Sequence, residues 1–138
     1  MNSIILQIAS KYLKIIFLSF AFIALYRGHN YPGGGFIGGL LASLYIVYDS
    51  LAFTSQQIKK KLRVRPESYM GMGLTCALLS FLPSLLTGAP LMKGTWLSLN
   101  IAMLGEIKLG TPLLFDIGVF FTVMGVTLMF LFTLSIKK

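Results

Sequence analysis

Two apolar runs of the chain are separated by the stretch Gly28-His29-Asn30-Tyr31-Pro32-Gly33-Gly34-Gly35-Phe36. This stretch holds the only histidine, one proline and four of the fourteen glycines. Glycine adopts backbone conformations that other residues avoid, and proline fixes its own φ angle, so the chain can reverse here in little space. Because each flanking run is long enough to cross a bilayer, we interpret the stretch as a hinge between two transmembrane helices.

The composition indicates a protein embedded in a lipid bilayer. The chain has 138 residues, of which 56% are hydrophobic and 12% are charged, whereas a soluble domain is about 25% charged. With about 20 residues needed for each crossing, the sequence predicts an all-α integral membrane protein forming a single domain over residues 1–138. The four predicted helices are Ile4–Tyr26, Phe36–Thr54, Met70–Thr87 and Leu113–Ser135.

The net charge of +8 also fits a membrane protein. Five cations crowd the segment between the second and third predicted helices, namely Lys59, Lys60, Lys61, Arg63 and Arg65. Short loops rich in lysine and arginine stay in the cytoplasm, so this segment and both chain termini are predicted to be cytoplasmic. The hinge then faces the outside, and the basic charge requires no nucleic-acid partner.

The outer segment between the third and fourth helices alternates in polarity. Leu97–Ile101 and Glu106–Leu109 each alternate, with a turn around Met103–Gly105. This pattern predicts a small β-hairpin resting on the membrane surface. Just after it, Thr111 is predicted to cap the fourth helix and Pro112 to occupy its first turn.

The sequence predicts neither an enzyme nor a metal protein. One histidine and one cysteine, Cys76, do not make a zinc site. The three glycines Gly33–Gly35 are not a phosphate-binding loop, because no Gly-Lys-Ser or Gly-Lys-Thr follows them. We therefore expect no catalytic residues, no bound metal and no cofactor.

Ionisable residues inside the predicted helices are more informative. Asp49 recurs on one helical stripe with the small residues Gly35, Gly38 and Ala42, so it lies on a face that packs against protein. It is either a proton or cation relay, or an interface acid that is solvated or paired with Lys59 or Lys60. Lys14 either extends toward the lipid headgroups, or is buried and serves a proton path or an acidic partner.

Two further ionisable residues lie toward the outer surface. Asp116 is in the first turns of the fourth helix, where the helix dipole favours an anion; the alternative is a cation-binding or inter-subunit role. His29 either senses protons from outside or is a structural part of the hinge. Asp49 and Asp116 are predicted to lie about 20 Å apart by axial rise, so they do not form one site, which argues against a self-sufficient transporter.

Small residues on the last two helices predict close helix packing. Gly73, Ala77, Ser80 and Ser84 recur at steps of four and three, and Gly118, Thr122 and Gly125 form a second stripe on a face different from that of Asp116. Such stripes let neighbouring helices approach closely in a bilayer.

Taken together, the hinge with its continuation to Leu40 and the later Gly110-Thr111-Pro112 and Phe115-Asp116-Ile117-Gly118-Val119 resemble the MnhB-type component of Mrp-type (Mnh-type) multisubunit Na⁺/H⁺ antiporters. The resemblance covers essentially the whole chain. It implies a multi-pass subunit of a bacterial or archaeal cytoplasmic-membrane complex that exchanges Na⁺ for H⁺. It also implies other antiporter subunits as partners, and a role in assembly or in lining the ion route. The motif residues are Gly28, His29, Asn30, Pro32, Gly33, Gly34, Gly35, Phe36, Gly38, Gly39, Gly110, Thr111 and Pro112.

Three alternatives stay open at this point. The chain can be the equivalent subunit of an ion-pumping membrane-bound hydrogenase or respiratory complex. It can be a purely structural assembly subunit. A free-standing dimeric exporter is the third, but such exporters need a central carboxylate in an early helix, and the first predicted helix has none.

Overall fold

A computed structural model describes residues 4–28, 33–53, 57–58, 60, 64–90, 93–101 and 105–135. Within these residues, four helical segments are long and apolar enough to cross a membrane. We name the helices α1 (Ile4–Arg27), α2 (Gly35–Ala52), α3 (Pro66–Leu79), α4 (Leu82–Leu86) and α5 (Thr111–Ser135). The third membrane-spanning segment consists of α3 and α4 together, over Pro66–Leu86. The predicted class, a four-helix integral membrane protein, is confirmed.

The third helix differs from its prediction at both ends. It begins at Pro66 instead of Met70, so the predicted start was wrong. Proline suits the first turn because its missing N–H has no intrahelical partner there, and Glu67 adds an acid where the helix dipole favours one. Farther along, Pro83 has no N–H to donate to the Leu79 carbonyl, and the helix is interrupted by a turn at Ser80 and Phe81.

The start of α5 also corrects a prediction. Thr111 is itself the first residue of the helix and does not act as its cap. Its hydroxyl oxygen accepts a hydrogen bond from the Thr95 N–H at 3.2 Å, and its own N–H donates to the Thr95 carbonyl at 3.1 Å. Thr111 therefore joins α5 to the segment before the hairpin, while Pro112 occupies the first turn as predicted.

The hairpin expected between the third and fourth membrane-spanning segments is present. Strand β1 (Trp96–Ile101) pairs antiparallel with β2 (Gly105–Gly110), and Trp96 lies opposite Gly110 in the register. The Trp96 ring covers Gly110, because a Cβ added to that glycine would lie 2.8 Å from a ring carbon. The predicted turn falls mainly on residues 102–104, which lie outside the described residues.

Helix α5 packs between α2 and α3, and α1 packs on α2. The α3–α5 contact depends on glycines that bring the two backbones together. A Cβ added to Gly118 would lie 2.6 Å from the Ala77 nitrogen, and one added to Gly73 would lie 2.5 Å from the Gly118 carbonyl oxygen. Such distances leave no room for a side chain, so the predicted small-residue stripes on these two helices do face each other.

A small hydrophobic core closes the end of the bundle where α2 finishes. Its buried members are Ile46, Ile58, Leu128 and Phe132. Ile58 lies between α2 and α3 in the sequence, so this core fastens the connecting segment to α2 and α5. Large apolar side chains elsewhere on the helices are exposed, as expected for surfaces that face lipid or other membrane proteins.

Substitution of Gly118 tests whether backbone contact holds α3 against α5. Gly118→Val should lower the thermal unfolding midpoint of the full-length chain in detergent, because overpacking a tight contact costs about 1–3 kcal/mol. Gly71→Val is the matched control, since Gly71 lies in α3 with no atom within 4 Å of an added Cβ. Equal shifts of the midpoint for the two variants would contradict the packing.

Candidate functional site

Asp49 of α2 lies in a buried polar contact between α1 and α2. Its side chain is only 5% exposed. The Ser10 hydroxyl of α1 donates a hydrogen bond of 2.8 Å to Asp49 Oδ1, and the Tyr45 hydroxyl lies 3.5 Å from Oδ2. Ser10 is itself 3% exposed. The acid is therefore held by hydroxyl groups from two helices, and we call Ser10, Tyr45 and Asp49 the Asp49 cluster.

The cluster forms because α1 and α2 approach closely. Ser10 and Ala21 are the buried residues of α1 and lie eleven residues apart, about three turns, so they share one face. A Cβ added to Gly38 would lie 2.9 Å from the Ala21 carbonyl oxygen. The glycine thus lets the α1 backbone contact α2, and Ser10 lies against Asp49 farther along the same face.

The structure narrows the interpretation of Asp49. A carboxylate that is 5% exposed is not the solvated interface acid that was one of the sequence-based alternatives. Lys59, one of the two lysines considered as its partner, lies outside the described residues. Sequence reasoning missed Ser10 and Tyr45. Tyr45 could have been found, because it precedes Asp49 by four residues on the same helix, whereas Ser10 requires knowledge of how the helices pair.

Lys14 lies next to the Asp49 cluster but on the surface of the chain. Its side chain is exposed, so the buried Lys14 considered from the sequence was wrong for this chain by itself. Its ammonium lies 5.5 Å from the centre of the Tyr45 ring, within the range of a cation–π interaction. Tyr45 therefore touches both the buried carboxylate, through its hydroxyl, and the exposed cation, through its ring.

Asp116 of α5 lies at the opposite end of α2, beside the hinge. A Cβ added to Gly34 would lie 3.4 and 3.7 Å from the two Asp116 carboxylate oxygens. The Gly34 N–H donates a 2.8 Å hydrogen bond to the Ala24 carbonyl near the end of α1. The structure therefore brings the hinge and the motif around Asp116 together, a contact that spacing in the sequence did not reveal.

Other hinge residues fall outside what the structure describes. His29, Asn30 and Pro32 are among these, so the interpretations of His29 stay predictions. Gly28 and Gly34, which flank them, lie against each other: a Cβ added to Gly28 would collide with the Gly34 backbone. The chain thus leaves the end of α1 and returns to the same place before α2 begins.

The two acids do not form one site. Gly35 lies against the Asp116 backbone, and Asp49 follows Gly35 by fourteen residues, which is about 21 Å along α2. This distance agrees with the prediction of two separate sites. Among the described residues, no group of three or more His, Cys, Asp and Glu side chains is arranged to hold a metal ion.

Substitution of Gly34 tests the contact between the hinge and Asp116. Gly34 has φ +95°, and a valine there would be strained and would push its methyl groups into the Asp116 carboxylate. Gly34→Val should therefore lower the thermal midpoint of the full-length chain by more than the backbone strain of about 1–3 kcal/mol alone. Gly88→Val measures that strain, because Gly88 has φ +66° with no atom within 4 Å; equal losses would mean that the Asp116 contact is unimportant.

Comparison with known proteins places the whole chain in one family. Residues 5–129 match the family described as "Domain related to MnhB subunit of Na+/H+ antiporter". The chain is 38% identical over 134 residues to the MnhB-type Na⁺/H⁺ antiporter component of Bacillus subtilis strain 168, covering 97% of this chain and 94% of that protein. It is 32% identical to the protein of the same name from Alkalihalophilus pseudofirmus, over 97% and 93% of the two chains.

A solved structure agrees with these relatives. The fold matches part of one chain in the structure of the Mrp complex from Dietzia sp. DQ12-45-1b, with a TM-score of 0.72 and 30% sequence identity. The match covers 91% of this chain but only 13% of that one, so a fold of this kind there forms part of a much longer polypeptide. From its sequence and its fold alike, the chain belongs to the family of MnhB-related subunits of Na⁺/H⁺ antiporters.

Proposed function

We infer that this chain is an integral subunit of a multisubunit cation/proton antiporter in a bacterial cytoplasmic membrane. The inference is supported by relatives named as subunits of Na⁺/H⁺ antiporters, which the chain matches over 97% of its own length. Those relatives are components of transporters. Its partners are then the other subunits of the complex, and the complex exchanges Na⁺ for H⁺.

A part played within a complex also agrees with the positions of the acids. Asp49 and Asp116 lie near opposite ends of α2, about 21 Å apart. Transport across the membrane by this chain alone would need further polar groups to connect them. A subunit that contributes one short section of a route built with its partners needs only one such site.

Within this function, we assign the role of proton or cation relay to Asp49. The observation that carries the assignment is its hydrogen bond with Ser10 in a buried contact between two membrane helices. Ionisable residues inside membrane proteins are costly and usually belong to ion or proton pathways. Hydroxyl groups such as those of Ser10 and Tyr45 both donate and accept hydrogen bonds, so they can pass a proton to or from the carboxylate.

The direction of the chain in the membrane follows from its charges. Lys59, Lys60, Lys61, Arg63 and Arg65 lie between α2 and α3, and positive loops stay in the cytoplasm. The chain termini then lie in the cytoplasm as well, and the hinge and hairpin face outward. In this orientation the Asp49 cluster belongs to the cytoplasmic half of the membrane and Asp116 to the outer half.

Replacement of Asp49 tests the relay. Asp49→Asn keeps the shape of the side chain and an oxygen that accepts from Ser10, so the complex should still assemble. Na⁺/H⁺ exchange should fall about a hundredfold, the lower end of what a positioned proton-transfer group contributes. The measurement is the Na⁺-induced change of the pH gradient in everted membrane vesicles, normalised to the amount of assembled complex.

Glu67→Gln is the matched control, because Glu67 is an exposed acid at the start of α3 and should leave exchange unchanged. Wild-type exchange in the Asp49→Asn complex would contradict the relay and favour a purely structural subunit. Failure of that variant to assemble would likewise contradict it, since Asp49 would then serve packing.

A further inference from the structure

Lys14 is a cation in a membrane helix that makes no ion pair within the described part of the chain. Its ammonium lies over the Tyr45 ring, at 5.5 Å from the ring centre. No ion pair joins it to Asp49, Glu67 or Asp116, the acids whose side chains the structure describes. Its side chain is exposed, so its charge faces whatever surrounds the four-helix unit.

The depth of this charge excludes the aqueous surface. Tyr45 follows Gly35 by ten residues and precedes Ala52 by seven, so it lies about 15 Å and about 10 Å from the two ends of α2. Helix α2 is about 27 Å long, close to the thickness of the hydrocarbon core of about 30 Å. The ammonium beside Tyr45 is therefore within the apolar layer, where lipid phosphates do not lie.

Lys14 is also part of a polar stripe on α1. Gln7, Lys11 and Lys14 are separated by four and three residues, so they lie on one side of the helix. Both lysines are exposed, and Gln7 is half-buried. The neighbouring exposed surface of α1 is rich in large apolar side chains, among them Ile15, Ile16 and Phe20. Lipid suits those apolar side chains but not the stripe.

We propose that the stripe of Gln7, Lys11 and Lys14 is the surface on which a transmembrane helix of another subunit docks, with an Asp or Glu of that helix opposite Lys14. Charge complementarity identifies the partner: a cation within the apolar layer requires an anion at the same depth, and a carboxylate on a membrane helix supplies it. The inference rests on the proposed function, because it requires a complex of membrane subunits. It adds which face of this chain meets a partner and what that partner presents.

Zero-length crosslinking tests the pair directly in the assembled complex. A membrane-permeable carbodiimide activates a carboxylate, and a lysine amine in contact with it then forms an amide bond. Mass spectrometry of the wild-type complex should find Lys14 joined to an Asp or Glu in a membrane-spanning segment of another subunit. Lys14→Arg should abolish this crosslink and still yield the complex, because the guanidinium keeps the charge.

The recovery of the complex provides a second measurement. Lys14→Met should reduce the fraction of the chain that co-purifies with other subunits about tenfold or more, because it leaves the partner's carboxylate without its cation. Arg65→Met is the matched control, since Arg65 is an exposed cation before α3 and outside the helices. It should leave recovery unchanged.

Three results would overturn the proposal: a Lys14–Asp49 crosslink within this chain, full recovery of the Lys14→Met complex, or loss of bound anionic lipid from an otherwise intact variant complex. The wild-type chain separates this proposal from the proposed function. If wild type co-purifies with antiporter subunits and the Lys14 variants behave as wild type, only the docking surface is wrong. If wild type itself co-purifies with no such subunit, the function is wrong.

Discussion

The close approach of α5 to the helices on either side of it is the constraint on which the rest of the structure depends. A bilayer gives apolar helices little reason to associate, so contact between backbones has to supply the packing. On one side Gly118 meets Ala77 and Gly73 of α3, and on the other Gly35 meets the backbone at Asp116. The same glycine contact that holds α2 to α5 places the Asp116 carboxylate beside the hinge. Packing and the position of this acid are therefore one feature.

A second glycine contact positions the polar site at the other end. Gly38 brings α1 against α2, which carries Ser10 to Asp49. The carboxylate is thereby kept from lipid and provided with hydroxyl partners, as a charge inside a membrane protein requires. Tyr45 extends the cluster toward the surface, where Lys14 lies. The α1–α2 contact thus connects a buried acid with the face that we propose meets another subunit.

Much of this organisation could be predicted from the sequence, because it depends on local pattern. The four apolar runs, the alternating hairpin, the stripes through Gly73 and Gly118 and the resemblance to the MnhB-type antiporter component were all confirmed. What could not be predicted depends on how separate helices meet. Ser10 looks like any serine until α1 is paired with α2, and the exposure of Lys14 depends on which side of α1 that pairing covers. The start of α3 at Pro66 was missed because apolar character, and not the position of the proline, was used to place it.

The central claim is that this chain acts as one subunit of a larger antiporter and not by itself. The most direct measurement is purification of the tagged wild-type chain from its own membranes in mild detergent, followed by Na⁺/H⁺ exchange assays in proteoliposomes. We expect the chain to be recovered in fixed proportion with other antiporter subunits, and exchange to occur only in vesicles that contain them. Recovery of the chain as a dimer that catalyses exchange by itself would contradict the account.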